Sequence, residues 1–149
     1  MPRIDRHALV MQPASRMFHL VNEVEAYPRL FSWCEKAALL ERGPQSMVAR
    51  LDLRVAGLRA GFTTKNRWIE PERIDLELVD GPFRRFDGHW TFQPLDEHAC
   101  KVALCLEFEV AGSFIGNALA LGFQGLTDRL VDDFCRIARQ EDEAARWAG

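Results

Sequence analysis

An α+β fold is predicted for this chain: a curved antiparallel sheet of about seven strands wrapped around one long C-terminal helix, in the order β-α-α-β6-α. Three observations carry that expectation. Between residues 37 and 110 the apolar positions recur with period two, broken by short turns, as in an antiparallel meander with one dry face and one wet face. From about 113 to 143 they recur three and four apart, which is helical spacing. No other helical stretch is long enough to cover the dry face, so this helix must do it.

Taken in order, Ile4 to Met11 reads as the first strand. Pro13 opens a helix with Met17, Leu20, Val21 and Val24 on one stripe. Tyr27-Pro28 is expected to break it, and Leu30, Phe31 and Trp33 to form a second helical turn. Ala37 to Glu41 leads through the turn 42–45 into Val48 to Val55, with Arg50, Asp52 and Arg54 on one side. Gly57 marks a tight connection. Phe62, Thr64, Asn66 and Trp68 then alternate with Thr63, Lys65 and Arg67. Beyond Pro71, Ile74, Leu76 and Leu78 oppose Arg73, Asp75 and Glu77. After the turn at Asp80-Gly81-Pro82, the strand 85–93 sets Phe86, Gly88, Trp90 and Phe92 against Asp87, His89 and Thr91. Pro94 to Glu97 is read as a turn and Lys101 to Val110 as the last strand. Ser113 is a candidate N-cap for the terminal helix, whose stripe holds Ile115, Leu119, Gly122, Leu126, Leu130, Phe134 and Ile137.

With 149 residues, one domain spanning 1–149 is expected, and such a chain buries about 70% of its unfolded surface. The net charge of −3 excludes a strong global field for nucleic acid, and no DNA partner is expected. Basic residues do crowd the middle of the chain, namely Arg50, Arg54, Arg59, Lys65, Arg67, Arg84 and Arg85. The start, MPRIDRHALV, lacks the apolar core of a signal peptide, and Cys34, Cys100, Cys105 and Cys135 show no C-x-x-C spacing. Reduced thiols and a cytoplasmic location are the expectation.

Chemistry is thinly represented. His7, His19, His89 and His98 have no metal-ligand spacing, so no metal is expected, and His89 with Asp87 reads as an outer-face pair. No nucleophile elbow, P-loop or zinc-protease motif occurs. The expectation is a protein that is not an enzyme.

The dry faces admit two readings, a filled core or a cavity holding a guest. Large aromatics beside Gly88 fit either. Thr64 and Asn66 share the inner face with Phe62 and Trp68, and buried polar groups need a neighbour, a water or a ligand head group. Gly116, Gly122 and Gly125 inside the helix mean either close helix–sheet packing or a lid that loosens.

Several motifs point to a family. They are the run Leu20 to Pro28 (LVNEVEAYP), Phe31-Ser32-Trp33-Cys34, Phe62-Thr63-Thr64-Lys65-Asn66, and Leu78 to Phe83 (LVDGPF) with Gly88-His89-Trp90-Thr91-Phe92. Together they resemble the coenzyme Q-binding family of the START-like, or helix-grip, fold, which includes bacterial ribosome-association toxins and polyketide cyclase-like proteins. The likeness runs from about residue 3 to 140; Glu23 departs conservatively from an expected aspartate.

The resemblance implies a hydrophobic tunnel holding ubiquinone or a similar isoprenoid lipid, with the protein acting as a quinone carrier that supports respiration. No other cofactor is required. On that reading the guest would meet Phe62, Thr64, Asn66 and Trp68, then Leu76 and Leu78, then Phe86, Trp90 and Phe92. Leu104, Leu106 and Phe108 would continue the wall, and Leu119, Phe123, Leu126 and Leu130 of the helix would close it. Asn66 would donate to a quinone carbonyl. Each five-carbon unit buried would gain about 3–4 kcal/mol. Tyr27, Pro28, Phe31 and Trp33, with Pro82 and Phe83, would form an entrance touching the membrane transiently, the protein lying peripherally at the inner membrane face. The alternative implied by the same family is a factor that binds the large ribosomal subunit and blocks subunit joining. A second alternative is a cyclase-like enzyme using Asn66, Thr64 or Asp80.

Overall fold

Alternation of apolar and polar side chains between residues 34 and 110 does build one continuous antiparallel sheet. A computed structural model describes residues 3–112 and 114–148 of the chain. The strands are β1 (Arg3–Val10), β2 (Cys34–Arg42), β3 (Ser46–Val55), β4 (Leu58–Ile69), β5 (Arg73–Asp80), β6 (Phe83–Asp96) and β7 (Ala99–Val110). They lie in the order β1-β7-β6-β5-β4-β3-β2, every neighbour antiparallel, so β1 is brought round to the far edge beside β7. Two helices follow β1: α1 (Ala14–Asn22) and, after a 3-10 turn at Val24–Ala26, α2 (Tyr27–Leu30). The long helix α3 (Phe114–Ala148) packs against β1, β3, β7 and α1. The fold is therefore α+β in the expected order.

Boundaries differ from the sequence reading for identifiable reasons. The break in the first helical region falls at Glu23, and Tyr27-Pro28 starts α2 because proline is tolerated in a first turn. Phe31 is extended, and β2 begins at Cys34 on the strength of pairing with Leu53, interrupted by an irregularity before Lys36. Pro94 to Asp96 belongs to β6 rather than to a turn: Pro94 still faces Cys100, and the register shifts between Pro94 and Asp96 so that the missing N–H breaks no long ladder. β4 starts at Leu58, directly after the two-residue turn Ala56-Gly57, both at positive φ (51° and 74°), the geometry that joins twisted strands tightly. Helix α3 continues past residue 143 to Ala148; Arg16 to Glu141 (2.8 Å) and Gln12 to Asp142 (2.6 Å) tie its later turns to α1 and the segment before it. Ser113, the candidate N-cap, lies outside the described residues.

The inner face of the sheet carries the core. Phe18, Phe92, Phe108, Phe134, Leu104 and Val102 are almost completely buried. The outer face is a lattice of exposed ion pairs: Arg50–Asp52, Arg67–Glu77, Arg73–Asp75, Arg85–Asp87, and both Arg3 and Arg85 with Glu107. Much of the basic crowding in the sequence is thus neutralised by carboxylates on the same strand or the next. Asp87 takes Arg85 rather than His89 as its partner. The four cysteines are free, with Cys34 and Cys100 buried and Cys105 and Cys135 half-buried.

Candidate functional site

Between the inner face and α3 lies a cavity of about 90 Å³. Its sheet wall comes from five strands: Ala49, Leu51 and Leu53 of β3; Phe62, Thr64 and Asn66 of β4; Ile74 and Leu76 of β5; Phe86 and Trp90 of β6; and Leu104 and Leu106 of β7. Phe123, Leu126, Thr127 and Leu130 of α3 roof it, and Val21, Asn22, Val24, Tyr27 and Trp33 close one side.

Eleven residues expected around a guest meet here: Phe62, Thr64, Asn66, Leu76, Phe86, Trp90, Leu104, Leu106, Phe123, Leu126 and Leu130. Five do not reach it. Trp68, Phe92 and Phe108 are buried in the main core, and Leu78 packs against that core. Leu119 sits in a separate cluster with Val55 and Leu126. The inner face is longer than the cavity, and α1 occupies part of it: Phe18 meets Phe92 edge-on with ring centroids 5.7 Å apart.

Two aromatic clusters bound the space. Phe62, Phe83, Phe86, Phe108 and Phe123 form one, with centroids 4.8–6.2 Å apart. Tyr27, Phe31, Trp33, Trp90 and Phe134 form the other. This arrangement corrects the expected entrance. Tyr27 and Phe31 are 7% and 5% exposed because Phe134 of α3 packs on both rings. Phe83 is buried in the opposite cluster. Pro28, Phe31, Pro82 and Phe83 line no part of the cavity. Where the cavity does approach the surface is at Asn22 and Val24, which also line an outer polar cleft with His19, Glu23, Glu25 and Arg42.

The glycines resolve as well. A Cβ on Gly88 would stand 2.7 Å from Leu106 Cδ1, so the gap among the aromatics is already occupied by Leu106. One on Gly122 would stand 3.0 Å from Ala56 Cβ, the mark of close helix–sheet approach.

Polar groups are few and mostly self-satisfied. Thr64 Oγ1 donates to Asn66 Oδ1 at 2.8 Å, so the two polar residues that β4 contributes to the cavity answer each other. Thr127 donates to the Phe123 carbonyl within its own helix (2.9 Å), and the Tyr27 hydroxyl donates to the Val21 carbonyl. Two buried atoms have no partner among the described residues: Asn22 Oδ1 and Trp33 Nε1. Tyr27 is the one lining residue able to titrate, and burial, aided by nearby Cys34, holds its phenol far above the usual range. Among the described residues no carboxylate, imidazole or amine reaches the cavity, and no cluster of metal-ligating side chains occurs. Asp80, on the other hand, is exposed. Nothing in the lining can exchange a proton near neutral pH.

Sequence reasoning missed Ala49, Leu51, Leu53, Ile74, Val21, Asn22, Val24 and Thr127 as lining residues. The signal was available for β3: Arg50, Asp52 and Arg54 were read on one side, which puts Leu51 and Leu53 on the other.

An antiparallel sheet closed around a C-terminal helix, with an apolar cavity between them, defines a START-like helix-grip protein. The chain belongs to the family described as polyketide cyclase / dehydrase and lipid transport, which it matches over residues 10–135. It is 44% identical over 140 residues to the ribosome association toxin RatA of Vibrio cholerae serotype O1, covering 94% of this chain and 97% of that protein. Against the ribosome association toxin RatA of Escherichia coli K12 it is 37% identical, covering 94% and 89%. Among solved structures it is similar to the Zhui aromatase/cyclase of Streptomyces sp. R1128, with a TM-score of 0.82, 19% identity and 97% of each chain covered; that likeness concerns the fold. No helix among the described residues is long and apolar enough to cross a membrane.

Proposed function

We propose that this chain is a non-enzymatic ribosome-association factor that binds the large ribosomal subunit and blocks subunit joining. The observation that carries this is the 44% identity to a protein named for ribosome association, sustained over nearly the whole of both chains. The cavity supports it indirectly, because its lining offers no acid–base pair with which to turn over a substrate. On this reading the chain works in the cytoplasm, through its surface. Arg54, Lys65 and Arg84 carry no ion pair among the described contacts and lie on three different strands. Contact with ribosomal RNA would draw on such cations and weaken as salt rises. Sedimentation of the purified protein with isolated large and small subunits tests the reading. Pelleting with the large subunit alone, lost at higher salt, is the expected result; no pelleting with either subunit removes it.

A second reading is favoured by one specific observation, the apolar cavity between sheet and helix: the protein holds a hydrophobic guest. A ubiquinone-type guest is compatible with the apolar wall and with Asn66 as a polar contact. At about 90 Å³ the cavity must widen considerably to admit a substituted quinone ring and its tail, since about 150 Å³ serves for benzene. Organic extraction of protein from its native host, followed by mass spectrometry, tests it; retention of an isoprenoid quinone supports the reading and a lipid-free extract counts against it.

A further inference from the structure

We propose that the cavity selects a small, single-ring guest carrying a hydroxyl, which donates to Asn22 Oδ1 and accepts from the Trp33 indole N–H. This rests on the guest-binding reading of the cavity given above. The inference starts from hydrogen-bond accounting. Thr64, Thr127 and Tyr27 all place their hydroxyl protons on acceptors within the protein. Against that background, two buried side-chain atoms on residues that line the cavity are left without partners among the described residues, one an acceptor and the other a donor. Leaving buried polar atoms unpaired is costly, and such pairs are uncommon enough to call for an explanation.

The chemistry of the two atoms is complementary. Indole N–H can only donate, and an amide oxygen can only accept. A hydroxyl does both at once, whereas a quinone or ether oxygen satisfies Trp33 alone. Size narrows the class further: about 90 Å³ leaves room for at most one ring, with slight yielding of the walls. Asn22 also separates the cavity from the outer cleft of His19, Glu23, Glu25 and Arg42, so a guest arriving through that cleft meets Asn22 first.

Phenol, anisole and toluene discriminate the possibilities, because phenol donates and accepts, anisole only accepts and toluene does neither. Each is titrated into the ¹⁵N-labelled full chain while the indole N–H resonances of its four tryptophans are followed, Trp33 being assigned from Trp33→Phe. Phenol should shift the Trp33 resonance saturably and bind about tenfold more tightly than toluene or anisole. Asn22→Ala should reduce phenol to the affinity of anisole. If that variant does not fold, Trp33→Phe read by thermal shift should bring anisole down to the affinity of toluene while phenol, still donating to Asn22, stays the tighter of the three. Equal affinity for all three compounds, or for phenol and anisole, overturns the inference while leaving a guest-binding cavity in place. A Trp33 resonance indifferent to every compound overturns the inference, and a lipid-free extract separately counts against the guest-binding reading on which it rests.

Discussion

Leu106 fills the space that a side chain on Gly88 would need. The two residues face each other across the β6–β7 ladder, and a Cβ on Gly88 would come within 2.7 Å of Leu106 Cδ1 and of the Cys105 carbonyl oxygen. One of these is backbone and cannot swing aside. Gly88→Ala should therefore destabilise the fold by about 1–3 kcal/mol through overpacking. Urea unfolding measures it; an unchanged midpoint would mean that β6 and β7 stand further apart than described.

The helix glycines should respond in opposite senses. Gly125 has nothing within 4 Å of the position of its missing Cβ, so Gly125→Ala should gain helix propensity and raise stability by about 0.5–1 kcal/mol. Gly122 lies against Ala56 and Val55, where a Cβ meets contacts of 3.0 and 3.3 Å. Gly122→Val should lift α3 off the β3–β4 turn and cost about 1–3 kcal/mol. Thermal melts of both variants check the contrast, and a loss in both would indicate that α3 is seated differently.

Alkaline pH should weaken the fold. Burial pushes the Cys34 thiol up to about 11, with Asp52 adding to it, and the Cys135 thiol up to about 11, with Asp132 and Cys100 contributing. Tyr27 is raised by burial in the same sense. Folded chains hold these protons where unfolded chains release them, so the stabilisation is complete below the unfolded thiol value of 9.0 and is lost as pH rises toward about 11. Urea midpoints should hold level from about pH 7.5 to 8.5 and fall from about pH 9 to 11, and Cys34→Ala should flatten that fall. A midpoint that holds level or rises across the range would contradict the burial of these groups.

Most of the architecture was legible because the sheet alternates strictly. Phe62, Thr64 and Asn66 read correctly as inward, as did Phe86 and Trp90, since period two leaves a strand only two faces. What alternation cannot give is curvature, or which inward residues fall under α3 and which under α1. Trp68, Leu78, Phe92 and Phe108 were misplaced because alternation does not say how much of the inner face the cavity spans, and Leu119 because helical spacing does not say which turns of α3 cover it. The expected entrance failed differently: Tyr27, Phe31 and Trp33 suit a membrane interface, but the long-range contact with Phe134 that draws Tyr27 and Phe31 inward leaves no local trace. Asn22 was quoted as part of a motif, and its position on the cavity wall depends on where α1 ends, at Glu23.

Subunit joining gives the most direct test of a ribosome-association role exerted without catalysis. Purified subunits are mixed at joining concentrations of magnesium with increasing amounts of the protein, and the products are resolved on a sucrose gradient. Joined ribosomes should decline in proportion to added protein, reaching completion near one chain per large subunit, with free subunits rising to match. An undiminished joined peak at a large excess of protein would contradict the account, as would loss of the peak at a small fraction of one chain per ribosome, since that would require turnover.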